Sequence, residues 1–129
     1  MYYFTRLGLL KQDLSGIIAL MKTAVIATGG KQYLVSEGTT ITIEKLPVPA
    51  GKEDYKKGDS VVFDEVLMTD NGKDIDLGKP TVSGATVSAI VLSAGRAKKV
   101  TVIRYKAKSR YFKKKGHRQP FVKVKIDKV

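Results

Sequence analysis

Short β-rich runs separated by turn residues make up the sequence from Thr23 to the C terminus. In residues 39–45, Ile41 and Ile43 alternate with polar residues, and a period of two predicts a strand with one buried face. Residues 121–126 repeat this pattern, with valine and isoleucine alternating with lysine. Beyond Thr23 the sequence lacks a convincing helical periodicity. The predicted strands fall at 23–27, 31–35, 39–45, 61–68, 73–77, 86–93, 99–106 and 121–126.

The spacing of these strands is typical of a small β-protein. Turn signals recur about every 8–12 residues, which predicts an all-β fold: a small barrel or sandwich of short, mostly antiparallel strands. Gly29–Gly30 is a predicted turn, and the stretch 47–59 is a predicted surface loop. Asn71–Gly72 is expected to form a two-residue hairpin turn, because this pair favours positive φ angles.

Positive charge is concentrated at one end of the chain. The 129 residues carry a formal net charge of +12. Residues 96–129 contain fourteen Lys or Arg against one acid, a net of +13, whereas residues 1–95 have a net of −1. Charge that serves solubility is usually spread and mixed in sign. A cluster of one sign instead predicts a polyanionic partner, and the phosphate backbone of a nucleic acid fits it.

Aromatic residues are interleaved with the bases of this cationic segment, which favours RNA. Tyr and Phe stack on unpaired bases while Arg and Lys hold phosphates. Residues 107–119 lie between the last two predicted strands, so we expect a basic loop or extended hairpin tip that projects from the scaffold. The alternative is a disordered basic tail. The candidate RNA-binding residues, within about 104–120 and at one turn, are Lys31, Arg104, Lys106, Lys108, Arg110, Tyr111, Phe112, Lys113, Lys114, Lys115, His117 and Arg118.

Lys31 belongs to the sequence Gly29–Gly30–Lys31–Gln32, which resembles a phosphate cradle. The segment lacks the spacing and the terminal Ser or Thr of a P-loop. A tight turn between strands is therefore the favoured interpretation, although such a turn can still lie against an RNA backbone.

The sequence offers little for catalysis or metal binding. Cysteine is absent and His117 is the single histidine, which excludes disulfides, thiolate metal sites and paired-histidine metal sites. Asp64 and Glu65 are adjacent, so we expect them to point to opposite faces of one strand. Asp74 and Asp76 share a face, but two carboxylates do not complete a calcium or magnesium shell. We predict no enzymatic activity, no metal, no cofactor and no small-molecule substrate.

Residues 1–20 differ from the rest of the chain, because leucine and isoleucine recur there at helical spacing. Charged residues interrupt the apolar run, which excludes a secretory signal and a membrane span. Two interpretations stay open: an N-terminal extension, or a misassigned start with the chain beginning at Met21. The change of pattern at Thr23 favours the second. Residues 21–129 are predicted to form a single β domain.

Motifs across residues 21–129 form one ordered set. They are Ala24–Val25–Ile26, Gly29–Gly30–Lys31–Gln32–Tyr33, Val35–Ser36–Glu37–Gly38, Glu44–Lys45–Leu46, Val61–Val62–Phe63–Asp64–Glu65–Val66–Leu67, Arg104–Tyr105–Lys106, Arg110–Tyr111, Gly116–His117–Arg118–Gln119 and Val124–Lys125–Ile126. In this order and spacing they resemble the bacterial-type large-subunit ribosomal protein L-twenty-one family. The resemblance implies a small all-β domain whose basic loop binds large-subunit (23S) rRNA in the cytoplasmic ribosome. It also implies a structural role in subunit assembly and translation, beside a neighbouring protein of the L-twenty family.

Other function classes fit the residues less well. A free RNA- or single-strand-binding β-barrel module is the main alternative, but such modules carry exposed aromatic residues on a sheet face. A membrane-surface role is disfavoured, since the cationic segment lacks tryptophan and a broad apolar face.

Overall fold

A computed structural model describes residues 21–129, which form ten β-strands without a helix. The all-β prediction is confirmed, while the two interpretations of residues 1–20 concern a segment outside the described residues. The strands are β1 (Thr23–Thr28), β2 (Lys31–Ser36), β3 (Thr40–Glu44), β4 (Ser60–Phe63), β5 (Val66–Asp70), β6 (Ile75–Leu77), β7 (Val87–Arg96), β8 (Val100–Tyr105), β9 (Phe112–His117) and β10 (Pro120–Lys128).

The strands are arranged as two four-stranded sheets and one separate hairpin. The first sheet has the order β2-β1-β5-β6 and the second has the order β3-β10-β7-β4. Strands β8 and β9 pair only with each other among the described strands. Every pairing is antiparallel, as the sequence predicted.

One hydrophobic core lies between the two sheets, and small β-branched residues dominate it. Strand β10 illustrates this burial pattern: its valines and its isoleucine are fully buried, while Lys123 and Lys125 between them are exposed. Burying a side chain of this size contributes about 1.5–3 kcal/mol. The buried core residues are Ala24, Ile26, Val35, Ile43, Val61, Phe63, Val66, Val87, Ala89, Val91, Val122, Val124 and Ile126.

The predicted strand over residues 61–68 is wrong, because the chain turns a corner inside it. Strands β4 and β5 belong to different sheets. Between them, Asp64 and Glu65 are both exposed rather than on opposite faces. The Val66 amide donates to the Asp64 carbonyl over 3.0 Å, which closes a tight turn, and the Glu65 carbonyl accepts from Ala27 over 2.9 Å. The bend keeps both charged side chains in solvent, where they are not desolvated. It also lets the apolar residues on either side of them enter the same core.

The predicted two-residue hairpin at Asn71–Gly72 is also wrong, because the loop between β5 and β6 spans residues 71–74. Gly72 adopts the expected positive φ of 81°. Its amide donates to the Asp70 side chain over 2.7 Å, an aspartate turn that widens the loop. The predicted turn at Gly29–Gly30 is confirmed, with φ angles of 58° and 74°. The stretch 47–59 contains no strand, as predicted.

Candidate nucleic-acid interface

The cationic segment forms a β-hairpin, which agrees with the extended hairpin and not with the loop, the two alternatives predicted for residues 107–119. Strand β9 occupies residues 112–117 and pairs with β8 over six residue pairs, from Val100–His117 to Tyr105–Phe112. Strand β8 is rich in β-branched residues, and an antiparallel partner is needed to satisfy its backbone groups. The loop is therefore restricted to the hairpin tip, residues 106–111. We call residues 96–119 the basic hairpin.

Hydrogen bonds within the tip fix its conformation. The Lys106 amide donates to the Tyr111 carbonyl over 3.4 Å, and the Ser109 hydroxyl donates to the Lys106 carbonyl over 3.3 Å. Lys108 has a φ of 57°, in the left-handed region that a non-glycine residue seldom adopts. The tip thus carries Lys106, Lys108 and Arg110 on a turn held by its own backbone.

The basic hairpin is a continuation of the central ladder of the second sheet. Strands β7 and β10 pair up to Arg96 and Pro120, where the hairpin begins. One step further, the Ala97 amide donates to the Gln119 carbonyl over 2.9 Å. The Arg118 Nε donates to the Ala97 carbonyl over 3.0 Å, so part of this predicted RNA-binding guanidinium braces the hairpin base. The core-forming strands therefore hold the hairpin away from the sandwich.

Pairing places three of the four Lys and Arg side chains of β8 and β9 on one face of the hairpin. Residues opposite each other in an antiparallel pair share a face, and alternate residues along a strand change face. One face, which we call the cationic face, carries Val100, Val102, Arg104, Lys113, Lys115 and His117. All of these residues except Val100 line a groove of about 490 Å³, together with Tyr111 and Gly116.

Tyr111 lies among the cations of this groove. The Nζ atoms of Lys106 and Lys113 are 5.2 and 5.4 Å from the centre of its ring. Such cation–π contacts let an aromatic ring hold ammonium groups without cancelling their charge. Tyr111 therefore positions two positive charges from the tip and from β9, and keeps them available to an anion.

The opposite face, which we call the aromatic face, carries Thr101, Ile103, Tyr105, Phe112, Lys114 and Gly116. Lys114 is thus separated from Lys113 and Lys115 despite being adjacent in sequence. Tyr105 and Phe112 form the last cross-strand pair before the tip, and both rings are exposed. Tyr105 and Ile103 are not among the candidate RNA-binding residues predicted from the sequence. Alternation along β8 would have indicated them if residues 112–117 had been recognised as its partner strand.

No acidic side chain within residues 21–129 forms an ion pair with the basic hairpin, so the hairpin charge is uncompensated there. Within residues 21–129 the ion pairs are Lys31–Glu44 at 3.1 Å, Lys45–Asp54 at 3.1 Å and Lys52–Asp59 at 3.0 Å. Hydrogen bonds from Lys45 and from the Tyr55 amide lower the pKa of Asp54 below its usual value, which keeps that carboxylate ionised. Residues 96–126 contain no acid.

Lys31 is the candidate residue that the structure separates from the others. It follows the Gly29–Gly30 turn, and its ammonium is paired with the Glu44 carboxylate. The hydrogen bond to Glu44 raises the pKa of Lys31, so the Lys31 ammonium stays charged at neutral pH. A Cβ on Gly29 would lie 3.3 Å from the Glu44 Cβ, which explains why the turn holds glycine there. The arrangement supports the turn interpretation, in which the lysine is bound to the protein itself.

Two further features were sought in the described part of the chain. No helix there is long and apolar enough to span a membrane. No cluster of three or more histidine, aspartate or glutamate side chains there could hold a metal ion.

Comparison with known protein families gives a match over nearly the same residues as the described fold. Residues 22–129 match the family described as "Ribosomal prokaryotic L21 protein". The chain is 56% identical to "Large ribosomal subunit protein bL21" of Lachnoclostridium phytofermentans over 106 residues, 82% of this chain and 96% of that protein. It is 47% identical to the protein of the same name from Desulfatibacillum aliphaticivorans, over 82% of this chain and 94% of that protein. The corresponding protein of Pseudomonas fluorescens is 48% identical over 80% of this chain and 93% of that protein.

Proposed function

Because the chain belongs to the prokaryotic ribosomal protein L21 family, we propose that it is a structural constituent of the large ribosomal subunit whose basic hairpin binds 23S rRNA. The membership confirms the resemblance predicted from the sequence. It also makes the chain a non-enzymatic ribosomal protein, which acts in translation within the cytoplasmic ribosome.

The observation that carries the RNA-binding proposal is the exposure of the basic hairpin. Every residue of β8 and β9 is exposed, although β8 is largely apolar and β9 contains three consecutive lysines. An isolated two-stranded hairpin is marginally stable in water. Its like charges and bare apolar residues would both be stabilised by a partner with phosphates and flat aromatic bases.

In this proposal residues 21–129 are one domain with its interface at about 104–120. The cationic face and the tip hold phosphates, and the two β-sheets act as a rigid support. Binding of this kind supports subunit assembly by fixing the relative positions of RNA segments. The family resemblance further supports a neighbouring protein of the L-twenty family as a partner in docking.

A cell-based experiment tests the proposal against a free RNA-binding module. A tagged full-length chain should sediment with the large ribosomal subunit, and ultraviolet crosslinking should recover large-subunit rRNA attached to peptides of the basic hairpin. A free module would stay in slowly sedimenting fractions with a mixture of RNAs. Crosslinks confined to the sandwich strands would contradict the assignment of the hairpin as the interface.

Lys31 is expected to contribute less to RNA affinity than the lysines of the cationic face. Because its charge is paired with Glu44, Lys31→Gln is expected to change affinity for large-subunit rRNA by less than about twofold at 0.1 M salt. Lys115→Gln is the matched control, and loss of one phosphate contact should weaken binding by about five- to eightfold. Equal losses for the two variants, measured by fluorescence anisotropy, would mean that Lys31 is also in the interface.

A further inference from the structure

The aromatic face of the basic hairpin lies outside the proposed phosphate-binding face, yet it carries the most exposed rings of the region. Tyr105 is 77% exposed and Phe112 is 63% exposed. They are direct cross-strand partners, and side chains at such positions lie next to each other. Ile103, 50% exposed, extends the apolar surface towards the scaffold.

This surface is large and apolar, but its surroundings are cationic. Lys114 lies on the same face, and the tip with Lys106 and Lys108 adjoins it. With no acid in residues 96–126, the charge favours an anionic occupant over an ordinary apolar protein surface. An occupant that is both polyanionic and flat-faced is RNA with unpaired bases. In a duplex the base faces are hidden by stacking, so paired RNA offers such a ring nothing to bind.

The two faces belong to the same pair of strands, with no second layer between them. An RNA that engages the cationic face is therefore separated from the aromatic face only by the thickness of a single β-sheet. The two surfaces are continuous around the tip. This continuity connects the aromatic face to the proposed phosphate-binding surface without requiring a second macromolecule.

We propose that Tyr105 and Phe112 form a stacking site for unpaired RNA bases, so that the basic hairpin inserts between a phosphate backbone on one face and unstacked nucleotides on the other. The inference rests on the proposed RNA-binding function and deepens it by naming the class of RNA. The hairpin selects single-stranded loops or bulges beside a helix, since a continuous duplex satisfies only the cationic face.

Two RNA probes distinguish the faces: an unstructured single strand of about 12 nucleotides, and a perfectly paired duplex carrying the same number of phosphates. With the full-length protein, Tyr105→Ala and Phe112→Ala should each weaken binding of the single strand by about 5- to 100-fold. Duplex binding should change by less than about twofold, and the dependence on salt should keep its slope. A 2-aminopurine base in the single strand should lose fluorescence on binding the wild-type protein and recover it with the alanine variants.

Conservative variants separate stacking from simple packing. Tyr105→Phe keeps the ring and should retain wild-type affinity. Phe112→Leu keeps an apolar side chain and hairpin packing, but removes the π-face, so it should behave like Phe112→Ala. Wild-type affinity in Phe112→Leu, or equal losses on single strand and duplex, would overturn the stacking site. The proposed function fails separately, if the wild-type protein binds neither probe or if Lys115→Gln leaves the affinity for both unchanged.

Discussion

Replacing Arg104, Lys113 and Lys115 together with Gln is expected to weaken binding to large-subunit rRNA by about 100- to 500-fold at 0.1 M salt. Arg104 and Lys113 are direct cross-strand partners, and Lys115 lies opposite Val102 on the same face. None of the three forms an ion pair within residues 21–129, so each charge is available to a phosphate. Each neutralised phosphate contact removes the entropy gained by releasing about one counterion.

The salt dependence identifies the cause of this loss. If about six cations of the hairpin engage phosphates, the logarithm of wild-type affinity should fall with the logarithm of salt concentration at a slope of roughly −4 to −5. The triple variant should flatten the slope by about 2–3 units. Binding isotherms by fluorescence anisotropy from about 0.05 to 0.3 M salt measure both quantities.

A control variant removes the same charge elsewhere. Lys57, Lys73 and Lys79 are exposed and lie in segments outside the basic hairpin. Their joint replacement with Gln should change affinity by less than about threefold and leave the slope close to that of the wild type. Comparable effects of the two triple variants would indicate diffuse attraction by net charge, and would contradict a localised phosphate-binding face.

The sequence located the strands best where burial is one-sided. In β10, Val122, Val124 and Ile126 face the core while Lys123 and Lys125 face solvent, so the period of two is directly visible. Strand β9 has no such signal, since its lysines and glycine are poor strand formers. It is a strand because β8 needs a partner across the tip. A tertiary requirement of this kind cannot be inferred from local pattern, which is why the sequence left a loop and an extended hairpin tip as alternatives for residues 107–119.

The candidate site was predicted by composition but not by geometry. The excess of lysine and arginine identified the candidate segment, because a run without acids is conspicuous in any conformation. The partition into faces depends on register, and register requires both strands. Lys113, Lys114 and Lys115 are equivalent in the sequence, yet the second lies with Phe112 and Tyr105 while its neighbours lie with Arg104. Tyr105 is absent from the predicted candidates for the same reason.

The basic hairpin is connected to the core through strands β7 and β10. These two strands form the central pair of the second sheet and continue without interruption into the hairpin base. Buried residues of β10 therefore stabilise the support of the interface, although they lie far along the strand from it. Stability and RNA binding should be separable, because the core residues are buried and the proposed RNA-binding residues are exposed.

Ile126→Ala is expected to lower the free energy of unfolding by about 2–5 kcal/mol, a large share of the roughly 5–15 kcal/mol typical of a small domain. Ile126 is fully buried, and its backbone binds the turn between β2 and β3 through the amides of Gly38 and Ile126 itself. The substitution leaves these backbone bonds in place and removes only apolar volume, so the loss measures packing. Ile75 on edge strand β6 is 61% exposed, and Ile75→Ala should cost less than about 1 kcal/mol. Urea unfolding of both variants measures the difference.

At temperatures where both remain folded, each should bind large-subunit rRNA as the wild type does. Equal destabilisation by the two substitutions would contradict the core assigned between the sheets, and a loss of RNA affinity in folded Ile126→Ala would contradict the separation of support from interface.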